Sequence, residues 1–181
     1  MPGRISLVKM LLASAILALS ACSGGHHKSE QGTTVFLVRH AEKETTGSDP
    51  DLTASGYSRA ERLARILQRE HVKSIWSTDY RRTVETATPL SKLIRIPVTL
   101  YNPADLAALA DKIKSNAETA LIVGHSNTTP ELAELLGGDA GPPIDEAEEY
   151  DRLYVLTGVG TDNTETEIRR YGTPYVATGN E

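Results

Sequence analysis

The sequence predicts an α/β fold built on a mostly parallel sheet with helices on both faces. Three observations carry this. Short apolar runs alternate with amphipathic helical patterns, as in repeated strand–helix units. The first run, Val35-Phe36-Leu37-Val38, is continuously apolar, which suits a strand buried on both faces. It stops abruptly at Arg39-His40, and the carboxyl ends of such strands are where open α/β sheets keep their chemistry.

Residues 1–21 stand outside this pattern. Arg4 and Lys9 flank the start of a short apolar core, Met10 to Leu19, too short to span a bilayer as a helix. That is the pattern of a signal peptide. It ends in Leu19-Ser20-Ala21-Cys22, which resembles a bacterial lipobox. Cys22 is therefore the expected lipidated first residue of an exported lipoprotein, anchored to the membrane and facing the periplasm or the cell exterior. Cys22 is also the only cysteine, so no disulfide is expected. Residues 22–32 are polar and glycine-bearing, with His26 and His27 adjacent, and read as a flexible tether. Residues 33–181 are the expected domain. Without residues 1–21, 160 residues remain with a formal charge of −7. That is enough for one core, and its acidity argues against nucleic acid as a partner.

The expected strands are Thr33–Val38, Val72–Trp76, Val98–Tyr101, Ala120–Val123, Arg152–Leu156 and Glu165–Tyr171. A first helix opens at Leu52-Thr53 and sets Ala60, Leu63, Ala64 and Leu67 along one face. A second begins near Tyr80 and carries Val84 and Ala87, with Pro89 expected to kink or interrupt it. Pro103 is expected to start a third, with Leu106, Leu109, Ala110 and Ile113 inward. Thr129 is expected to cap a fourth, with Pro130 at its first position and Gly137 as its stop. No helix separates the last two strands, so they are expected to pair as an antiparallel edge hairpin around Gly158-Val159-Gly160.

The residues after the buried strands form a constellation. The first strand is followed by Arg39-His40-Ala41-Glu42. The second is followed by a segment from Ser77 to Ala87 that contains Arg81 and Arg82. The fourth is followed by Gly124-His125-Ser126-Asn127. Parallel strands bring these to one edge. Guanidinium groups bind phosphate oxygens in planar pairs, and an imidazole can attack phosphorus to give a covalent intermediate.

Four segments in order resemble the histidine phosphatase (phosphoglycerate-mutase-like) superfamily. They are Leu37–Glu42, Asp49–Gly56, Ser77–Ala87 and Val123–Asn127, within Thr33 to Gly138. The resemblance implies a three-layer α/β/α sandwich. It implies His40 as nucleophile, Arg39 and Arg82 as phosphate clamps, and His125 as a second donor to the phosphoryl group. Arg82 rather than Arg81 fits the family spacing, which leaves Arg81 on the surface. The commonest first motif has Gly after the His. Here Ala41 stands there and is tolerated unless the position needs positive φ.

The chemistry asks for a neutral His40, and two nearby guanidinium groups disfavour a second cation there. No metal or cofactor is required, because the clamps match the charge of the transferring group. One carboxyl group should protonate the leaving oxygen. Asp105, just after the third strand, is the first candidate, with a helix-end role as its structural alternative. Glu42 is the second, with a structural pairing to Lys43 or an arginine as its alternative. Ser126 and Asn127 offer hydrogen bonds or helix capping. His71 reads as a surface or helix-end residue.

The expected activity is that of a phosphoric monoester hydrolase of the histidine acid phosphatase type, acting on a small phosphorylated substrate. Export and short length favour hydrolysis over a phosphoglycerate-type mutase reaction. A non-catalytic phosphate-binding lipoprotein is the alternative on the same fold. A serine hydrolase using Ser126 is disfavoured because no His follows His125, and a metalloenzyme because no paired-His ligand spacing exists. Specificity should come from Glu42–Pro50, Tyr101–Asp105 and Gly138–Glu149. The last, with five acidic residues, is expected to be a solvated surface loop.

Overall fold

The structure, a computed structural model, describes residues 32–176. The expected leader 1–21, the expected lipidation site Cys22 and the expected tether up to Gln31, with His26 and His27, lie outside the described residues. Six strands and four helices alternate: β1 (Thr33–Arg39), α1 (Ala54–Leu67), β2 (Ser74–Thr78), α2 (Arg81–Ile94), β3 (Val98–Tyr101), α3 (Leu106–Asn116), β4 (Ala120–Gly124), α4 (Thr128–Leu135), β5 (Arg152–Val159) and β6 (Glu165–Arg170).

The strands form one sheet in the order β3-β2-β4-β1-β5-β6. The β3–β2, β2–β4 and β4–β1 pairs are parallel, whereas β1–β5 and β5–β6 are antiparallel. The expected terminal hairpin is therefore present at an edge, but β5 runs through Gly158 and Val159, so the turn begins at Gly160 rather than spanning Gly158-Val159-Gly160. Two apolar clusters cover the two faces. One joins Leu63, Ala64 and Leu67 of α1 to Ala87 and Leu90 of α2, against Phe36, Val38, Leu121 and Val123 of the sheet. The other joins Leu109, Ala110 and Ile113 of α3 to Leu132 and Ala133 of α4, against Val35, Leu37, Ala120 and Ile122. Alternate residues of β1 and β4 thus face opposite layers, which is why both strands are apolar throughout. This is the three-layer α/β/α sandwich. The chain moves outward from β1 to β2 to β3 with helices on one face, then returns to insert β4 with helices on the other. The crevice over β4 lies where that direction reverses.

Four further local expectations need correction. α2 runs unbroken through Pro89. Its buried face of Thr83, Thr86, Ala87 and Leu90 holds it to the core, and the Thr86 and Thr88 hydroxyls each donate 2.7 Å bonds to carbonyls four residues back. α3 begins at Leu106 rather than Pro103, because the Asp105 carboxylate accepts from Ala108 N and caps it there. α4 begins at Thr128, so Thr129 is not its cap and Pro130 is its third residue. Thr129 N already donates to His125 O, three residues before the helix proper, so the helical ladder starts there. β2 starts at Ser74 and extends to Thr78, because its register against β4 pairs Ser74 with Ala120. Its polar end, Ser77-Thr78, is fully buried with both hydroxyls bonded.

Candidate active site

β1, β4 and β2 are parallel neighbours, so Arg39, Gly124 and Thr78 end at one edge of the sheet. His40, 3% exposed, follows β1 directly. Its backbone N donates to Gly124 O at 2.9 Å, tying it to the end of β4. Its Nδ1 lies 2.8 Å from Ala41 O, which can only accept, so Nδ1 carries the proton and Nε2 keeps a free lone pair. The Ala41 peptide is itself held, as Ala41 N donates to Thr86 Oγ1 at 2.9 Å. Ala41 is buried and has no positive φ, so alanine is accommodated at this position. Burial, reinforced by Arg39 and Arg82, pushes the His40 imidazole down to about 3, so it is neutral at ordinary pH.

The His125 ring stands edge-on to His40, with centroids 5.6 Å apart at 69°. Its backbone N donates to Thr128 Oγ1 in the first turn of α4, and its Nε2 lies 3.0 Å from Thr78 Oγ1. Thr78 Oγ1 in turn donates to Thr83 Oγ1 in α2. Burial, then Arg82 and Arg39, hold His125 down to about 4. Both guanidinium groups therefore act on both imidazoles, and the four side chains share one crevice.

Arg39 is 3% exposed. Its Nη1 donates to Asp145 O and Glu149 O, each at 3.0 Å, and its Nη2 to Glu146 O. Its guanidinium stacks over Tyr150 at 4.1 Å. Arg82 stacks over Tyr80 at 4.4 Å and has Asp49 at 3.6 Å. Asp49 also accepts from Arg81 N, anchoring the start of α2. The Nε atoms of both Arg39 and Arg82 are buried without a hydrogen-bond partner. A buried charged N–H left unpaired is costly. The arrangement can hold a tetrahedral oxyanion against the free Nε2 of a neutral imidazole.

The other sequence candidates lie at varying remove. Both Glu42 oxygens accept from Arg59, at 2.7–3.0 Å. Asp105 is exposed and caps α3, beside Ala104, which lines a 340 Å³ cavity with Arg82, His125 and Asn127. Asn127 precedes α4 without a side-chain cap bond. Arg81 is exposed and paired with Asp51. Among the described residues no hydrogen bond joins Ser126 to an imidazole, and no three His, Cys, Asp or Glu side chains gather as a metal site requires.

The acidic Gly138–Glu149 segment departs from the solvated loop expected. Arg39 binds three of its carbonyls, and Glu149, 2% exposed, pairs with Arg152 and Arg170. The carbonyls have no signature in the sequence, because every residue carries one. Tyr150, Thr78, Thr83, Thr86 and Asp49 also shape the site. The threonines and Asp49 lie inside the recognised segments, so proximity to the motif was the available signal. Tyr150 had none.

Residues 35–102 match the histidine phosphatase superfamily, branch 1. A phosphoserine phosphatase 1 from Hydrogenobacter thermophilus is 37% identical over 71 residues, a match that takes in 35% of this chain and 34% of that protein. The chain thus spans about a third of the length of the curated relative it matches. Among solved structures, the protein histidine phosphatase SixA complexed with tungstate superposes with a TM-score of 0.62 at 14% identity, covering 76% of this chain and 97% of that one. The native mycobacterial glucosyl-3-phosphoglycerate phosphatase gives 0.58 at 13% identity, covering 77% and 98%. At such identities the two structures speak for the shared fold.

Proposed function

From residues 35–102, which are those of a histidine phosphatase superfamily chain, we propose a phosphatase that hydrolyses a phosphomonoester through a covalent phosphohistidine on His40. The observation that carries the reading is the gathering of the Arg39 and Arg82 guanidinium groups around the buried, neutral imidazoles of His40 and His125.

The phosphoryl group is held by the two guanidinium groups, with His125 alongside. His40 Nε2 attacks phosphorus in line, and the bond from phosphorus to the leaving oxygen breaks. The imidazole's neutrality makes the lone pair available at the outset, while the hydrogen bond from Nδ1 to Ala41 O offsets the positive charge that develops on the ring. Arg39 and Arg82 compensate charge on the equatorial oxygens. The leaving oxygen takes a proton. Asp105 is the better donor of the two carboxylates named, because only one of its oxygens caps α3, whereas both Glu42 oxygens serve Arg59. Water then attacks the phosphohistidine, releasing inorganic phosphate and restoring His40. Anchoring through Cys22 would place this hydrolysis outside the cytoplasm.

Replacing His40 by Ala and measuring phosphate release from 4-nitrophenyl phosphate tests the reading. Loss of at least about a thousandfold in kcat is expected, with an acid-labile, base-stable phosphoenzyme trapped only in the unsubstituted protein. Unchanged turnover in His40→Ala would refute the mechanism.

A further inference from the structure

The crevice is bordered on both sides by space that lacks cations. The 340 Å³ cavity at Arg82 and His125 continues, through the shared residues Tyr80 and Pro103, into a 530 Å³ cavity floored by Leu100 and Tyr101. Leu100 is 51% exposed on the edge strand β3. The only charged residue lining that cavity is Asp79. On the other side the shared residue Asn127 leads into a 450 Å³ cavity whose only charged lining residues are Glu131, Glu134 and Glu146. Around the clamp, then, every charged side chain lining the flanking spaces is a carboxylate; both spaces offer apolar surface, and the aromatic rings, Tyr80 and Tyr101, lie on the β3 side.

We propose that the space over Tyr80, Leu100, Tyr101 and Pro103 is the leaving-group subsite, and that it selects phosphomonoesters whose leaving group is aromatic or apolar and carries no negative charge. This rests on the phosphatase reading above and adds the substrate class to it. A flat, uncharged group gains by covering Leu100 and the Tyr80 ring. A leaving group with its own carboxylate or second phosphate meets Asp79 in that space, and no cation lines it. Selection of this kind works through repulsion as well as attraction, so one added charge on an otherwise identical leaving group should be rejected.

The test compares phenylphosphonate with 4-carboxyphenylphosphonate, two non-hydrolysable ligands that differ by one charge, by calorimetry on the full chain. Phenylphosphonate should bind at least about tenfold more tightly. Leu100→Lys, a surface change outside the catalytic crevice, should shrink that ratio at least about threefold by supplying the missing cation. In parallel, phosphate release is followed from phenyl phosphate and 4-carboxyphenyl phosphate. Turnover without preference in either assay, or a ratio unmoved by Leu100→Lys, overturns the subsite. Preferential binding without turnover keeps the subsite and overturns the hydrolysis reading. Binding of neither phosphonate together with no turnover overturns both.

Discussion

Acidification should destabilise this fold through the two buried imidazoles of the crevice, His40 and His125. An unfolded chain protonates a histidine near the ordinary value of 6.5, whereas burial keeps His40 neutral to about 3 and His125 to about 4. Between those limits the unfolded state binds a proton that the native state refuses, so stability falls as pH falls. The sign is the reverse of that for a salt-bridged histidine, because the folded values lie below the unfolded one. Integrating the proton-binding difference from pH 7 to pH 5 gives about 2 kcal/mol for each imidazole, or at most about 4 kcal/mol together. His125 is partly exposed, so water tempers its share. The assay is urea denaturation of the full chain at both pH values in phosphate-free buffer, alongside His40→Asn and His125→Asn. Each variant's drop should be smaller than the native protein's by up to about 2 kcal/mol, whatever its absolute stability. The carboxylates titrate alike in all three proteins and cancel. An equal drop in all three would refute the claim that these imidazoles are buried and neutral.

Three substitutions test the scaffold around the site. In Gly56→Ala the new Cβ would lie 2.1 Å from Glu42 O, a backbone atom that cannot step aside, so a loss of about 1–3 kcal/mol is expected by calorimetry, and an unchanged Tm would contradict it. Glu149→Ala strips the carboxylate from Arg152, which is 3% exposed, and should cost about 3–5 kcal/mol in chemical denaturation; a cost under about 1 kcal/mol would mean that the carbonyls of Pro142 and Pro143 suffice. Arg39→Lys keeps the charge but cannot reach three carbonyls while facing the crevice, so kcat/KM should fall about a hundredfold and residues 139–149 should be cleaved faster by protease; near-native values for both would show that charge alone matters at this position.

The sequence by itself determined the layers and the reactive edge. Continuous apolar runs in β1 and β4 mark strands covered twice, and the spacing of Ala60, Leu63, Ala64 and Leu67 marks a helix laid on one face. Arg39, His40, Arg82 and His125 were legible because each sits at or just past a strand end, a position that topology turns into a common edge. Local structure was less legible where two physical roles ask for the same residue. A carboxylate at Asp105 suits a helix cap as well as a proton donor, and Thr128 and Thr129 both suit a helix start. Tertiary structure decided the helix starts by geometry: Asp105 caps α3, and α4 begins at Thr128. It also decided what no residue type announces. Antiparallel pairing of β5 with β1 brings Tyr150 and the carbonyls of Asp145, Glu146 and Glu149 onto Arg39, more than a hundred residues away in the chain. The same packing commits Glu42 to Arg59 and Thr78 to His125. Hydrophobic periodicity is a local property of the chain, so it can be read in order. Hydrogen bonds to backbone carbonyls and choices among equivalent carboxylates depend on which segments meet, and only the folded chain contains that information.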